Sequence, residues 1–221
     1  MIQLKALLIF IMMSSTAISV AQKKPLLPIK WKLAAVLPAA KGQSKSLGFA
    51  GAINGVNNNV LIVAGGCNFP DAMPWEGGKK FYSNEIFVLQ KTRKGYVWNK
   101  KITTLLPEPI AYCGITSTTK GIVYAGGENV NGISNKCFLL KWNAEENQID
   151  IRPLPNLPIA LTNVAVTHIG DVVYAAGGDV AKNSSKGFFR LDLNNSNGVW
   201  KTLPDLPLAL ANATAIAQSG I

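Results

Sequence analysis

The sequence holds a single histidine, His168, and only three cysteines, Cys67, Cys113 and Cys137. That scarcity removes metal centres built on imidazole and thiolate, since no zinc-type spacing is present. An odd cysteine count leaves at least one free thiol. Cys137, inside the strand-like run Cys-Phe-Leu-Leu, is expected in the core. Acidic residues are also few, 12 against 22 lysines and arginines, for a net charge of +10. The basic residues are scattered in short groups such as Lys23-Lys24, Lys79-Lys80 and Lys100-Lys101, with no long run interleaved with aromatics. The chain therefore offers no nucleic-acid surface. A solvated basic surface, or a field that gathers an acidic small molecule, is the expectation. Helical periodicity is absent after residue 22, and no stretch approaches the ~20 apolar residues of a membrane span. An apolar fraction of 48% and a charged fraction of 15% exclude a disordered chain.

The N-terminus reads as a leader. A short basic start, Met1 to Lys5, precedes the apolar run Ala6 to Met13, and Ser19-Val20-Ala21 supplies a small-x-small cleavage site. The expectation is a signal peptide over 1–21, cut after Ala21, and a periplasmic or secreted protein. No cysteine follows the site, so no lipid or membrane anchor is expected.

What is abundant is repetition. Gly-Gly closes an apolar run at Gly65-Gly66, Gly126-Gly127 and Gly177-Gly178. Phe87, Phe138 and Phe189 follow at steps of 51, and Trp98, Ile149 and Trp200 lie eleven residues beyond each. A Leu-Pro pair ends each unit, at Leu106-Pro107, Leu157-Pro158 and Leu206-Pro207. Trp31 and Leu37-Pro38 read as the end of one more unit. Each unit reads as four short strands joined by Gly, Asn, Asp and Ser turns; in the third they are about 163–168, 171–178, 188–193 and 199–203. A unit of this length, with Gly-Gly after its second strand and an aromatic further on, is the kelch signature and implies a β-propeller. The glycines would let neighbouring blades approach near the axis. The expected fold is all-β: a partial kelch propeller over 22–221, with blades at about 48–104, 112–153 and 162–203. An incomplete blade at 211–221 resembles the start of the third and stops where its second strand should begin, so the whole reads as a C-terminally truncated piece of a ring of about four to eight blades.

The rhythm breaks once strongly. From Gly66 to Phe87 the chain runs ten residues longer than in the other units. The insertion falls in the loop between second and third strands, CNFPDAMPWEGGKKFYSNEIF. Phe69 and Trp75 are expected to anchor it, Pro70 and Pro74 to stiffen it, and Asp71, Glu76, Lys79 and Lys80 to supply acid, base and cation together. From these residues alone the loop reads equally as a pocket wall or a folded cover. A smaller excess of eight residues lies between Pro38 and Gly65.

Leu47-Gly48-Phe49-Ala50-Gly51, Leu61 to Gly66 and Trp75-Glu76-Gly77-Gly78-Lys79-Lys80 together resemble the N-acetylneuraminate epimerases, or sialic acid mutarotases, in their cyclically permuted branch. The resemblance implies an exported six-bladed enzyme that interconverts sialic acid anomers by opening and reclosing the hemiketal. It implies no metal or organic cofactor, a small sugar acid as partner, and a monomer at full length. It makes Glu76 and Glu128 the acid–base candidates and Asn68, Asp71, Trp75, Lys79, Lys80 and Asp179 the substrate-binding ones. Glu128 and Asp179 follow the second and third Gly-Gly pairs. Gly127-Glu128 lacks the Pro-Gly and Arg that follow such a pair in the family, and that run is expected beyond Ile221. The alternative is a kelch module that binds a glycan or a protein without catalysis. Copper chemistry on such a ring needs His and Tyr ligands, and one histidine excludes it.

Overall fold

The computed structural model describes residues 28–39, 43–195 and 197–218. The leader expected over 1–21 lies outside the described residues. The described residues 28–33 belong to a unit separate from the rest and carry no regular secondary structure. All strands among the described residues belong to the second unit, Ala34–Ile221.

The first sheet comprises β1 (Ile53–Asn57), β2 (Val60–Ala64), β5 (Ile86–Thr92) and β6 (Gly95–Trp98), and β3 (Cys67–Asn68) pairs with β4 (Phe81–Tyr82) between its halves. The second comprises β7 (Gly114–Thr118), β8 (Gly121–Ala125), β11 (Cys137–Asn143) and β12 (Gln148–Leu154), with the small pair β9 (Glu128–Asn129) and β10 (Gly132–Ile133). The third comprises β13 (Ala165–Ile169), β14 (Val172–Ala176), β17 (Phe188–Asp192) and β18 (Lys201–Thr202), with β15 (Asp179–Val180) and β16 (Asn183–Ser184). Each large sheet is an antiparallel meander, and the sequence-based boundaries in the third unit differ from these by a few residues at the strand ends. The small pairs were not expected. Residues 28–39, read as the end of a further unit, form no strand.

Local chemistry explains the elements. β2 is Val-Leu-Ile-Val-Ala, rich in β-branched residues that suit a pleated, buried surface. Asn58 and Asn59 both hold positive φ, 47° and 63°, which is the two-residue hairpin turn asparagine favours. Sheets then stack through two apolar clusters. Ile53, Ile62 and Val88 of the first sheet meet Ile122, Tyr124 and Leu140 of the second. Val123, Ala125 and Leu139 of the second meet Val173 and Phe189 of the third, with Trp200 just before β18.

Polar contacts fix the stacking register. Buried Asn57 accepts the backbone N–H of Trp142 at 2.8 Å, and Asn58 Nδ2 donates to its carbonyl at 3.1 Å. Asn57→Ala would strand that buried N–H at a cost of about 1–3 kcal/mol. A urea midpoint unchanged in Asn57→Ala would contradict this role. The indole of Trp200 donates to Pro155 O at 2.8 Å, and Trp98 repeats the bond to Val36 O at 2.7 Å.

A chain of backbone bonds runs across successive sheets near their first strands. Tyr112 N donates to Gly51 O, Asn163 N to Tyr112 O, and Asn212 N to Asn163 O, at 2.8, 2.9 and 3.1 Å. All four residues are left-handed, with φ of 61°, 58°, 54° and 54°. Asn212 thus occupies the place of Asn163 one unit on, although the described part of 211–218 forms no strand.

Candidate functional site

The three small strand pairs occupy equivalent places after each Gly-Gly. Cys67, Glu128 and Asp179 each bridge to the incoming chain, at Ala50, Ala111 and Thr162. They are therefore three versions of one position in three consecutive blades. Between Asn129 and Gly132, and between Val180 and Asn183, the tip is two residues long; between Asn68 and Phe81 it is the twelve residues 69–80. The ten-residue excess is this tip.

The tip is folded by its own backbone. Pro74–Glu76 makes one 3-10 turn, closed by Gly77 at φ 85° and by Gly78 N donating to Met73 O at 3.0 Å. The Glu76 carboxylate accepts the Met73 N–H at 3.1 Å. Glu76 is thereby engaged in the turn and shares no hydrogen bond with the groups described next. Trp75 does not anchor the loop as the sequence led one to expect: it is 81% exposed. The prolines and the turn hold the segment without it. Trp75→Ala should leave the thermal midpoint within about 1 °C of wild type, because surface substitutions seldom exceed ~0.5 kcal/mol; a drop of several degrees would restore the anchoring role. Asp71 and Lys79 are exposed on the same tip. Asn68 turns the other way. Its Nδ2 donates to Gly48 O at 3.0 Å, its Oδ1 is buried without a partner, and the residue lines a cavity of about 200 Å³ with Phe49, Phe81 and Phe87.

Lys80, at the end of the tip, reaches the next blade. Its Nζ lies 3.2 Å from Glu128 Oε1, and the Tyr82 hydroxyl donates to that same oxygen at 2.8 Å. The ammonium sits 5.5 Å from the Tyr82 ring centre and 5.3 Å from that of Tyr112, within cation–π range. Beneath, Cys67 Sγ lies 3.4 Å from the Tyr112 hydroxyl. Both Lys80 and Glu128 stay partly open to solvent, with side-chain exposures of 34% and 26%. Burial opposes the Lys80 charge, but the hydrogen bond and negative charge of Glu128 outweigh it and hold its pKa above the usual value. Burial and the same carboxylate raise Tyr82. For Tyr112 the contact with Cys67, then burial, acts in the same direction.

Of the residues singled out in the sequence, Lys80 and Glu128 are brought together. Glu76, Asp71, Trp75 and Lys79 stay on the tip, and Asn68 faces the 200 Å³ cavity. Asp179 stands one blade further, its Oδ2 accepting Asn163 Nδ2 at 3.1 Å and its Oδ1 the Ser184 hydroxyl at 2.9 Å. Glu128 and Asp179 share the rim of an open concavity of about 800 Å³ between the second and third blades. His168 is structural: Nδ1 lies 2.8 Å from Thr116 Oγ1 across the blade gap. Tyr82 and Tyr112 were not foreseen. Tyr112 had a readable signal, since it aligns with Gly51, Asn163 and Asn212. A tyrosine in a left-handed position costs about 1–2 kcal/mol where glycine or asparagine would not. Such strain tends to be kept at working sites. Gly51 makes room for it, because a Cβ there would stand 2.5 Å from the Tyr112 ring. Among the described residues no group of three His, Cys, Asp or Glu could hold a metal ion, and no helix is long and apolar enough to cross a membrane.

Three stacked four-stranded meanders with Gly-Gly after the second strand make this a partial kelch β-propeller, and residues 160–207 match the kelch motif. A solved structure described as that of YjhT shares the fold, with a TM-score of 0.57 over 74% of this chain and 54% of that one, at 16% identity. Residues 14–149 match the profile of N-acetylneuraminate epimerase, and the chain belongs to that family. It is 40% identical over 131 residues to the N-acetylneuraminate epimerase of Vibrio vulnificus, a match that covers 55% of this chain and 32% of that protein. The corresponding protein of Vibrio cholerae is 33% identical over 129 residues, covering 54% and 32%. The matched segment thus spans about a third of the length of these curated relatives.

Proposed function

We propose that this chain carries part of the substrate pocket of an exported mutarotase that interconverts the anomers of N-acetylneuraminate. The observation that supports it most is the convergence of Lys80 and Tyr82 on one oxygen of Glu128 across the gap between two blades. Anomer exchange opens a hemiketal. A base takes the proton from the anomeric hydroxyl as the ring C–O bond breaks, a second group protonates the ring oxygen, and reclosure on the other face of the carbonyl reverses both transfers. Glu128 is the base in this reading. Tyr82 fixes its orientation through Oε1 and leaves Oε2 for the sugar. Lys80 has three donors, of which Glu128 takes one; the others hold the sugar's own carboxylate. The family membership supports the substrate class, and the leader-like residues 1–21 support export.

Exchange of N-acetylneuraminate anomers, followed by NMR on the full-length protein, tests the reading. Lys80→Ala should weaken substrate binding by about tenfold or more, the loss of one charge-assisted contact. Wild-type protein without exchange above the buffer rate would end the proposal. A non-catalytic glycan-binding role would then remain, with binding and no exchange.

A further inference from the structure

We infer that the concavity between the second and third blades is a subsite for the neutral hydroxylated arm of the sugar acid; this rests on the substrate class proposed above. Its volume is about 800 Å³, and it lies on the side of Glu128 that faces Asp179. Its polar rim is Glu128, Thr162, Asn163, Asp179 and Lys182, and Ile133 and Val180 supply aliphatic surface. Two features specify the chemistry it takes. First, the Asp179 carboxylate is held in one orientation by Asn163 and Ser184, yet among the described residues no lysine or arginine lies within ion-pair distance of it. A fixed carboxylate without a cation suits hydroxyl donors, because each oxygen has further acceptor capacity beyond the one bond it makes here. Second, two carboxylates, Glu128 and Asp179, line this space, and the one lysine on its rim, Lys182, is exposed on the tip at 181–182 and makes no ion pair with Asp179, whereas Lys80 is held on Glu128 from the first blade. The sugar's carboxylate therefore belongs toward Lys80 and its uncharged polyol chain toward Asp179. Asn163 reinforces the arrangement: its left-handed backbone, φ 54°, presents the amide that orients Asp179.

The test compares two ligands on the full-length protein by equilibrium dialysis and saturation-transfer NMR. One is N-acetylneuraminate. The other is a 2-keto sugar acid with the same carboxylate and anomeric centre but without the exocyclic triol. Asp179→Asn should weaken the first by about tenfold, one hydrogen bond to a charged group, and leave the second within about twofold. Asn163→Gly, which keeps the left-handed backbone, should weaken the first in the same direction. Lys80→Ala should weaken both alike. Saturation transfer to the triol protons should be lost first in Asp179→Asn. Equal weakening of both acids by Asp179→Asn, or none, overturns the subsite while leaving the catalytic reading intact. Selective weakening without any anomer exchange supports the subsite and removes the catalytic reading. Failure of wild type to bind either acid overturns the subsite.

Discussion

Glu128→Gln in the full-length protein should lower the rate of N-acetylneuraminate anomer exchange by about 10²–10⁴-fold, the usual contribution of a positioned acid–base group. Glutamine keeps the shape and can still accept the Tyr82 hydroxyl, but it cannot take a proton. The ion pair it removes is partly solvent-exposed and screened, so the fold should lose no more than ~1 kcal/mol. The expected signature is a fall in turnover with a thermal midpoint close to wild type. Exchange at the wild-type rate would take Glu128 out of the mechanism. A parallel loss of fold and exchange would instead make it a structural strut between blades. Glu76→Gln is the informative companion, because Glu76 caps its own turn and should change exchange little.

The protonation of the cluster bears on how such data are read. Lys80 and Tyr82 both have folded-state pKa values above their ordinary 10.5 and 10.0. A raised value means the folded protein holds the proton more tightly. Whatever stability this contributes is complete below about pH 10 and fades as pH rises through the folded values. From neutral pH to about 10 the ammonium and the phenol therefore keep one charge state, and neither produces a rate change in that window.

The repeat was legible because it is written in residue types that only one geometry needs. Gly-Gly, the Phe step of 51 and the Leu-Pro pairs recur where each blade meets the next. The insertion was legible as a break in that rhythm, and its length matches the excess in the tip at residues 69–80. The side chains within it were less so. Trp75 looked like an anchor because tryptophan usually buries area, but Pro74, Gly77 and the Glu76 cap fold the tip from within and leave the indole outside. The partnership of Lys80 with Glu128 spans 48 residues and depends on two blades stacking, which no local spacing encodes. Tyr82 hid for the same reason, as an ordinary aromatic at the end of the inserted tip, in the short strand β4. Tyr112 was the one hidden residue with a sequence trace, being the bulky member of the series Gly51, Tyr112, Asn163, Asn212.

Gly126→Ala should disrupt the stacking of the second blade on the third. Gly126 has φ 68°, and its Cβ would overlap the carbonyl oxygen of Leu161. That same oxygen accepts the N–H of Gly127 at 2.8 Å. The contact repeats at Gly65 with Ile110 O and at Gly177 with Leu210 O, and in each unit the second glycine donates to the oxygen that the first one faces. The pair thus does two things at once: the first glycine clears the space, and the second makes the bond. An alanine would have to move the Leu161 backbone, and Leu157 and Leu161 are buried in the cluster that joins these blades. Left-handed strain and forced repacking together cost about 2–5 kcal/mol, a large part of the ~5–15 kcal/mol that holds a typical domain. Gly170→Ala is the control. Gly170 is also left-handed, φ 56°, but nothing lies within 4 Å of its Cβ direction, so it bears the strain alone. Urea denaturation should show Gly126→Ala less stable than Gly170→Ala by at least about 1 kcal/mol, the low end of overpacking. Equal losses would mean that the glycines serve only their own backbone and not the approach of the next blade.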